Sequence, residues 1–146
     1  MAAVGGGGGG GGALKYRTGT GPSGHTDGIR CMAISRDGSR MFTGSYDTTI
    51  RCWDTGTGRI IETLNSTHKD WIISLFVSKN GSHLYSADAK RNISIWALNR
   101  KATKDATPCE LTIKGAEGHL PCLAADHDES TLFCGGALDN SIKVTD

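Results

Sequence analysis

The stretch GSYDTTIRCWD, Gly44 to Asp54, joins a small, polar turn to a segment in which apolar and polar residues alternate, and it closes on Trp-Asp. Alternation with period two marks a half-buried strand, because successive side chains leave a strand on opposite faces. One such strand buries too little to be stable alone, so its meaning depends on whether the pattern recurs.

It does recur. Displaced by 43 residues, His25 to Asp54 falls on His68 to Ala97 without a gap. His25 meets His68, Asp27 meets Asp70, Ile29 meets Ile72, Ser35 meets Ser78, Gly38 meets Gly81, Ser39 meets Ser82, Ile50 meets Ile93 and Trp53 meets Trp96. Those are eight identities in 30 positions, where average residue frequencies would give about two. Met32 with Leu75, Ile34 with Val77, Asp37 with Asn80 and Phe42 with Tyr85 are like for like. A third, weaker copy aligns LFCGGALDNSIKVTD, Leu132 to Asp146, with Met41 to Asp54 if Leu138 is an insertion. GHLPCLAAD stands there for a shortened opening, and Thr145 replaces the tryptophan.

Inside each unit GIRCMAIS and SRMFTGS read as strands joined by Arg36-Asp37-Gly38, whose Asp-Gly pair suits a tight hairpin by its tolerance of positive φ. TTIRCWD follows the turn at Tyr46 and Asp47, and RIIETL supplies a fourth strand. The expected unit is a four-stranded antiparallel meander.

These residues resemble the WD-repeat β-propeller family over about Gly24 to Asp146. The resemblance is carried by Gly24-His25, Asp37-Gly38, Gly44 to Asp47 and Trp53-Asp54, in that order and at the unit length of about 40 to 45 residues. It implies an all-β, partial propeller of four-stranded antiparallel blades; the Gly-rich N-terminus, with no side chains to bury from Gly5 to Gly12, is expected to be disordered. The organisation expected is a polyglycine leader at 1–13, a linker or outer strand at 14–23, repeats at 24–67 and 68–118, and a partial repeat at 119–146. The resemblance further implies that His25, Thr43, Asp47 and Trp53 form a buried hydrogen-bonded chain, with Ser45 a second candidate for the hydroxyl. His68, Ser86 and Trp96 repeat it, but Lys90 stands where Asp47 predicts an acid; the third copy keeps Asp139 and has Cys134 for Thr43. The second and third blades are therefore expected to be less firmly knit than the first. Neither tryptophan is followed by the Asp-x-Arg ending with which some family members dock a ubiquitin-ligase adaptor.

Sixteen basic and fifteen acidic residues leave a net charge of +1, so nothing favours nucleic acid or an anionic membrane. No run of about 18 apolar residues exists, and MAAVGGGGGGGGALKYR has neither the basic nor the apolar region of a secretory signal; an intracellular chain, cytoplasmic or nuclear, is expected. Five cysteines without regular spacing read as reduced, buried thiols rather than disulfides. No cofactor is expected. No Lys-Ser or Lys-Thr follows the polyglycine, so it is not a phosphate loop. His119, Cys122, His127 and Cys134 suggest zinc only at a distance, since strand alternation turns such side chains to different faces.

The expected function is a non-catalytic protein-protein interaction scaffold within a multiprotein complex. A truncated propeller remnant with no activity of its own is the alternative, and a metal-binding protein or enzyme a distant one. Partner contacts are expected on the rim beside the histidines, at Tyr46, Asp70, Trp71 and Arg91, because large aromatics and arginines anchor interfaces. Trp71 replaces Gly28 there and either binds a partner or packs between blades. Two full units and one partial unit fall short of the about four to eight blades that close a ring. A fragment of a longer propeller and self-association into a ring are the two expectations, ALKYRTGTG being a candidate outer strand.

Overall fold

The computed structural model describes residues 24–64, 68–98, 109–114, 122–126, 130–135 and 142–145. These residues form three antiparallel sheets, each a meander in chain order. The first contains β1 (Ile29–Ile34), β2 (Arg40–Ser45), β3 (Ile50–Asp54) and β4 (Ile60–Leu64). The second contains β5 (Ile72–Val77), β6 (His83–Asp88), β7 (Asn92–Ala97) and β8 (Cys109–Lys114). In the third, β9 (Cys122–Ala125) and β11 (Ile142–Thr145) flank β10 (Leu132–Gly135). No helix lies among the described residues, so none is available to cross a membrane.

The internal repeat extends to register. Phe42 faces Cys52 and Gly44 faces Ile50 in the first sheet; Tyr85 faces Ile95 and Ala87 faces Ile93 in the second. Even the bulges recur, between Ile29 and Cys31 and between Ile72 and Ser74 at the inner pairs, and at Cys52/Trp53 and Ile95/Trp96 at the outer ones.

The sheets are stacked face to face. Phe42, Ile50, Cys52 and Leu64 from the first sheet meet Ile72, Leu84, Trp96 and Leu98 from the second in one fully buried core, to which Leu75 and Val77 add their flanks. Tyr85, Ala87 and Ile93, on the far face of the second sheet, pack in the same way against Leu132 and Cys134 of the third. Period-two alternation thus serves both faces of the middle sheet: β5, β6 and β7 each send apolar residues both ways, which suits a sheet buried on two sides. Gly44 is needed at the first joint, because a Cβ there would lie 2.5 Å from Ile72 Cγ2 and 2.8 Å from Cys31 Sγ.

Two expectations change. The connection is longer than the three residues Arg36-Asp37-Gly38: five, Ser35 to Ser39, join β1 to β2, and of the Asp-Gly pair only Gly38 has positive φ, at 72°. Asp37 contributes through its side chain, accepting hydrogen bonds from Ser35 Oγ at 2.6 Å and from Ser39 N at 3.0 Å. These bonds hold its carboxyl well below the usual value, at about 2. Asn80 receives the same bonds from Ser78 Oγ and Ser82 N beside Gly81, also at 72°. The cysteines are also less uniform than expected. Cys31, Cys52, Cys122 and Cys134 are free thiols, but Cys122 is exposed and Cys31 half-buried, because each lies on the edge strand of its sheet, β9 or β1.

Candidate functional site

The first blade's chain of side chains starts in the loop before β1 and crosses two strands. His25 Nδ1 lies 2.8 Å from Asp47 Oδ2 and its Nε2 lies 2.7 Å from Thr43 Oγ1, to which Trp53 Nε1 donates at 2.7 Å. One arrangement of protons satisfies every group: the indole N–H donates to the threonine oxygen, the threonine hydroxyl to Nε2, and Nδ1–H to the carboxylate. Asp47 also accepts from Thr26 N, Thr49 N and Thr49 Oγ1. Burial alone would raise the Asp47 carboxyl, but the bonds from Thr49, Thr26 and His25 outweigh it and hold the acid far below its usual range. Ser45, the other candidate hydroxyl, does not reach the histidine; its Oγ donates to Asp27 O at 3.1 Å.

The second blade has the same chain with a different acid. His68 Nε2 is 2.7 Å from Ser86 Oγ, which accepts from Trp96 Nε1 at 2.8 Å. His68 Nδ1 is 3.0 Å from Asp88 Oδ2, and the side chains of this pair have no solvent exposure. Lys90 therefore does not mark a missing acid. The carboxylate comes from two residues earlier, at the end of β6, where the 43-residue offset places it opposite Ser45. Asp47 reaches its imidazole from the turn beyond β2 and Asp88 from the last residue of β6, at 2.8 and 3.0 Å. Asp88 accepts further bonds from Lys90 N, Asn92 N and Asn92 Nδ2. The expectation of a looser second blade is overturned on this point, since its network is as complete as the first and more deeply buried. Burial lowers the proton affinity of His68 more than the Asp88 hydrogen bond and charge raise it.

The hydroxyls at the centre of both chains are enclosed. Thr43 and Ser86 are buried, and each hydroxyl is taken by a histidine and a tryptophan. Asp139, His119 and His127 lie outside the described residues. Cys134 is buried against the second sheet, while Cys122, paired with Gly135 one step along the strand, is exposed. Among the described residues no three His, Cys, Asp or Glu side chains are grouped to hold a metal ion.

Of the rim residues, Tyr46, Asp70 and Trp71 come together, across the seam of the first two sheets. Tyr46 and Trp71 have ring centroids 4.8 Å apart, tilted by 59°, within the range of favourable aromatic pairs. Tyr46 is fixed by its N–H to Gly28 O, and Trp71 by its N–H to Asp70 Oδ1 and by accepting from Ala89 N. Trp71 thus packs between the sheets, as one of its two readings had it, and still leaves 51% of its surface in solvent. Lys90 Nζ lies 3.1 Å from Asp70 Oδ2 beside it. Arg91 sits exposed at the tip of the β6–β7 turn with φ 70°, matching Thr48 at φ 68° in the first blade. The Asp70–Lys90 contact is the feature that sequence reading missed at this rim; opposite charges on two neighbouring turns were its only signal.

Register, stacking and the paired His–hydroxyl–Trp chains describe a repeated blade rather than three unrelated sheets. The family model of the WD domain, G-beta repeat (WD40), matches residues 17–54, 58–97 and 107–146, the first two matches ending with β3 and β7. The chain belongs to the WD40 repeat family and is a partial all-β propeller.

Proposed function

We propose that this chain is a non-catalytic scaffold that works inside the cell, in cytoplasm or nucleus, by holding another protein on the rim at the seam of its first two blades. One observation carries the reading: Trp71, half in solvent, is packed against Tyr46 of the neighbouring blade, beside the Asp70–Lys90 ion pair, with Arg91 exposed on the β6–β7 turn. An exposed indole costs a monomer solvation that a partner recovers, and a side chain already fixed by a neighbouring ring loses little freedom on binding. Family membership supports an interaction role of this general kind. No chemistry is assigned, because the polar chains that resemble catalytic triads are closed structural networks.

The test is proximity labelling in cells with the full chain, its Trp71→Ala and Arg91→Glu variants, and Arg59→Ala as a control in the exposed β3–β4 turn. Proteins lost with both rim variants and kept with the control are the expected result. An unchanged set of neighbours would exclude this rim as the binding surface.

A further inference from the structure

Six large apolar side chains stay exposed among the described residues, and four of them occupy positions that the repeat makes equivalent to interior ones. On β1, Ile29, Met32 and Ile34 are 53, 61 and 56% exposed. One repeat later stand Ile72, Leu75 and Val77, the residues through which the second sheet covers the first. The outer face of the first sheet therefore carries, uncovered, the same half of the joint that the second sheet uses.

The other half is uncovered at the opposite end. Phe133, Gly135 and Ile142 of the third sheet align with Phe42, Gly44 and Ile50 of the first and with Tyr85, Ala87 and Ile93 of the second. Pairing confirms the alignment: Gly135 faces Ile142 as Gly44 faces Ile50 and Ala87 faces Ile93. Ile50 and Ile93 have no exposure, whereas Ile142 has 71%.

The chain makes one kind of sheet-to-sheet joint twice within itself and displays half of that joint at each end. We infer that a second copy of the chain is the occupant: the β10–β11 face of one copy seats on the β1 face of the next, head to tail. Two observations single out a copy over a foreign partner. Both halves belong to the same molecule and match the joints it already forms, and a net charge of +1 gives copies little reason to repel. Such a contact is heterologous, so it must close or propagate. Two copies bring about six sheets together, within the about four to eight of closed radial rings. The rim around Trp71 lies outside both faces, so this contact is independent of the proposed partner site.

The test is light scattering after size exclusion on three forms of the 146-residue chain: wild type, Met32→Glu with Ile34→Glu, and Ile142→Glu. Near-ultraviolet circular dichroism checks that each is folded; Ile34→Ser and Ile142→Ser serve instead if a glutamate disturbs packing. Wild type is expected above the 15.4 kDa of one chain, and each variant alone at that mass. An equimolar mixture of the two variants is expected at about twice it and no higher, because one intact pair of faces joins while the altered faces stop growth. A monomeric wild type, a variant that associates by itself, or a mixture that stays monomeric would each overturn the inference.

Discussion

Asp88 and Lys90 show how much a single position decides. Asp88→Asn leaves the buried His68 ring and two backbone amides facing a weaker acceptor, and is expected to cost roughly 2–3 kcal/mol, as a charge-assisted buried hydrogen bond does. Lys90→Ala removes a surface ion pair and is expected to cost less than about 1 kcal/mol. Urea unfolding midpoints of the two variants check the contrast. Thr48 is a β-branched residue at φ 68°, where the left-handed region costs an L-residue about 1–2 kcal/mol. Thr48→Gly is therefore expected to raise the unfolding midpoint despite glycine's looser unfolded chain. His68 sets the first acid response. Its folded value lies below the usual 6.5, so the unfolded chain takes up that proton first; stability is whole above pH 6.5 and declines as pH falls below it. A second decline is expected below about pH 4, where Asp47, lowered from 3.8, binds its proton more readily unfolded than folded. Denaturant titrations from pH 7.5 to pH 3 would show both steps. The first blade's network was implied by the family resemblance, residue by residue, but Asp88 could not be found at a fixed offset. A carboxylate two residues earlier, at the strand end instead of in the turn, reaches the same imidazole nitrogen, and gapless alignment has no means of registering that freedom.

Strands were the most readable elements. Ile29–Ile34, Arg40–Ser45, Ile50–Asp54 and Ile60–Leu64 fall where alternation placed them, because sheet pleat imposes the period directly. Turn geometry was less readable, since Asp-Gly is compatible with several loops and the choice lies in side-chain bonds such as Ser35 to Asp37. Gly44 gives a test of the packed strand face. Gly44→Ala forces a methyl group onto Ile72 and is expected to cost about 1–3 kcal/mol by overpacking, measurable as a lower thermal midpoint. At the equivalent place in β6 the chain already carries Ala87, buried without exposure, so the penalty belongs to the neighbour across the joint and not to the strand.

The stack of sheets was implied by the repeat, but which faces meet was not, because alternation is symmetric between the two sides of a strand. Coordinates break that symmetry: Phe42 turns toward the second sheet while Met32 turns away. They also explain why Trp96 is buried and Trp53 only half so, although both donate the same bond; the first sheet covers Trp96, whereas Trp53 lies toward the uncovered side. The joint between the first two sheets holds one further property. Cys31 Sγ points at Gly44 O, 3.9 Å away, and at Ile72 O, 3.7 Å away across the seam, and burial pushes the thiol up to about 11. Cys52, in the same core, is likewise pushed up to about 11. Both sulfurs stay protonated and slow toward electrophiles while the seam is shut, whereas exposed Cys122 is open to reagent. Alkylation followed by mass spectrometry therefore becomes a clock for the parting of two blades: Cys122 sets the zero, and the lag of Cys31 and Cys52 behind it measures how seldom the propeller breathes.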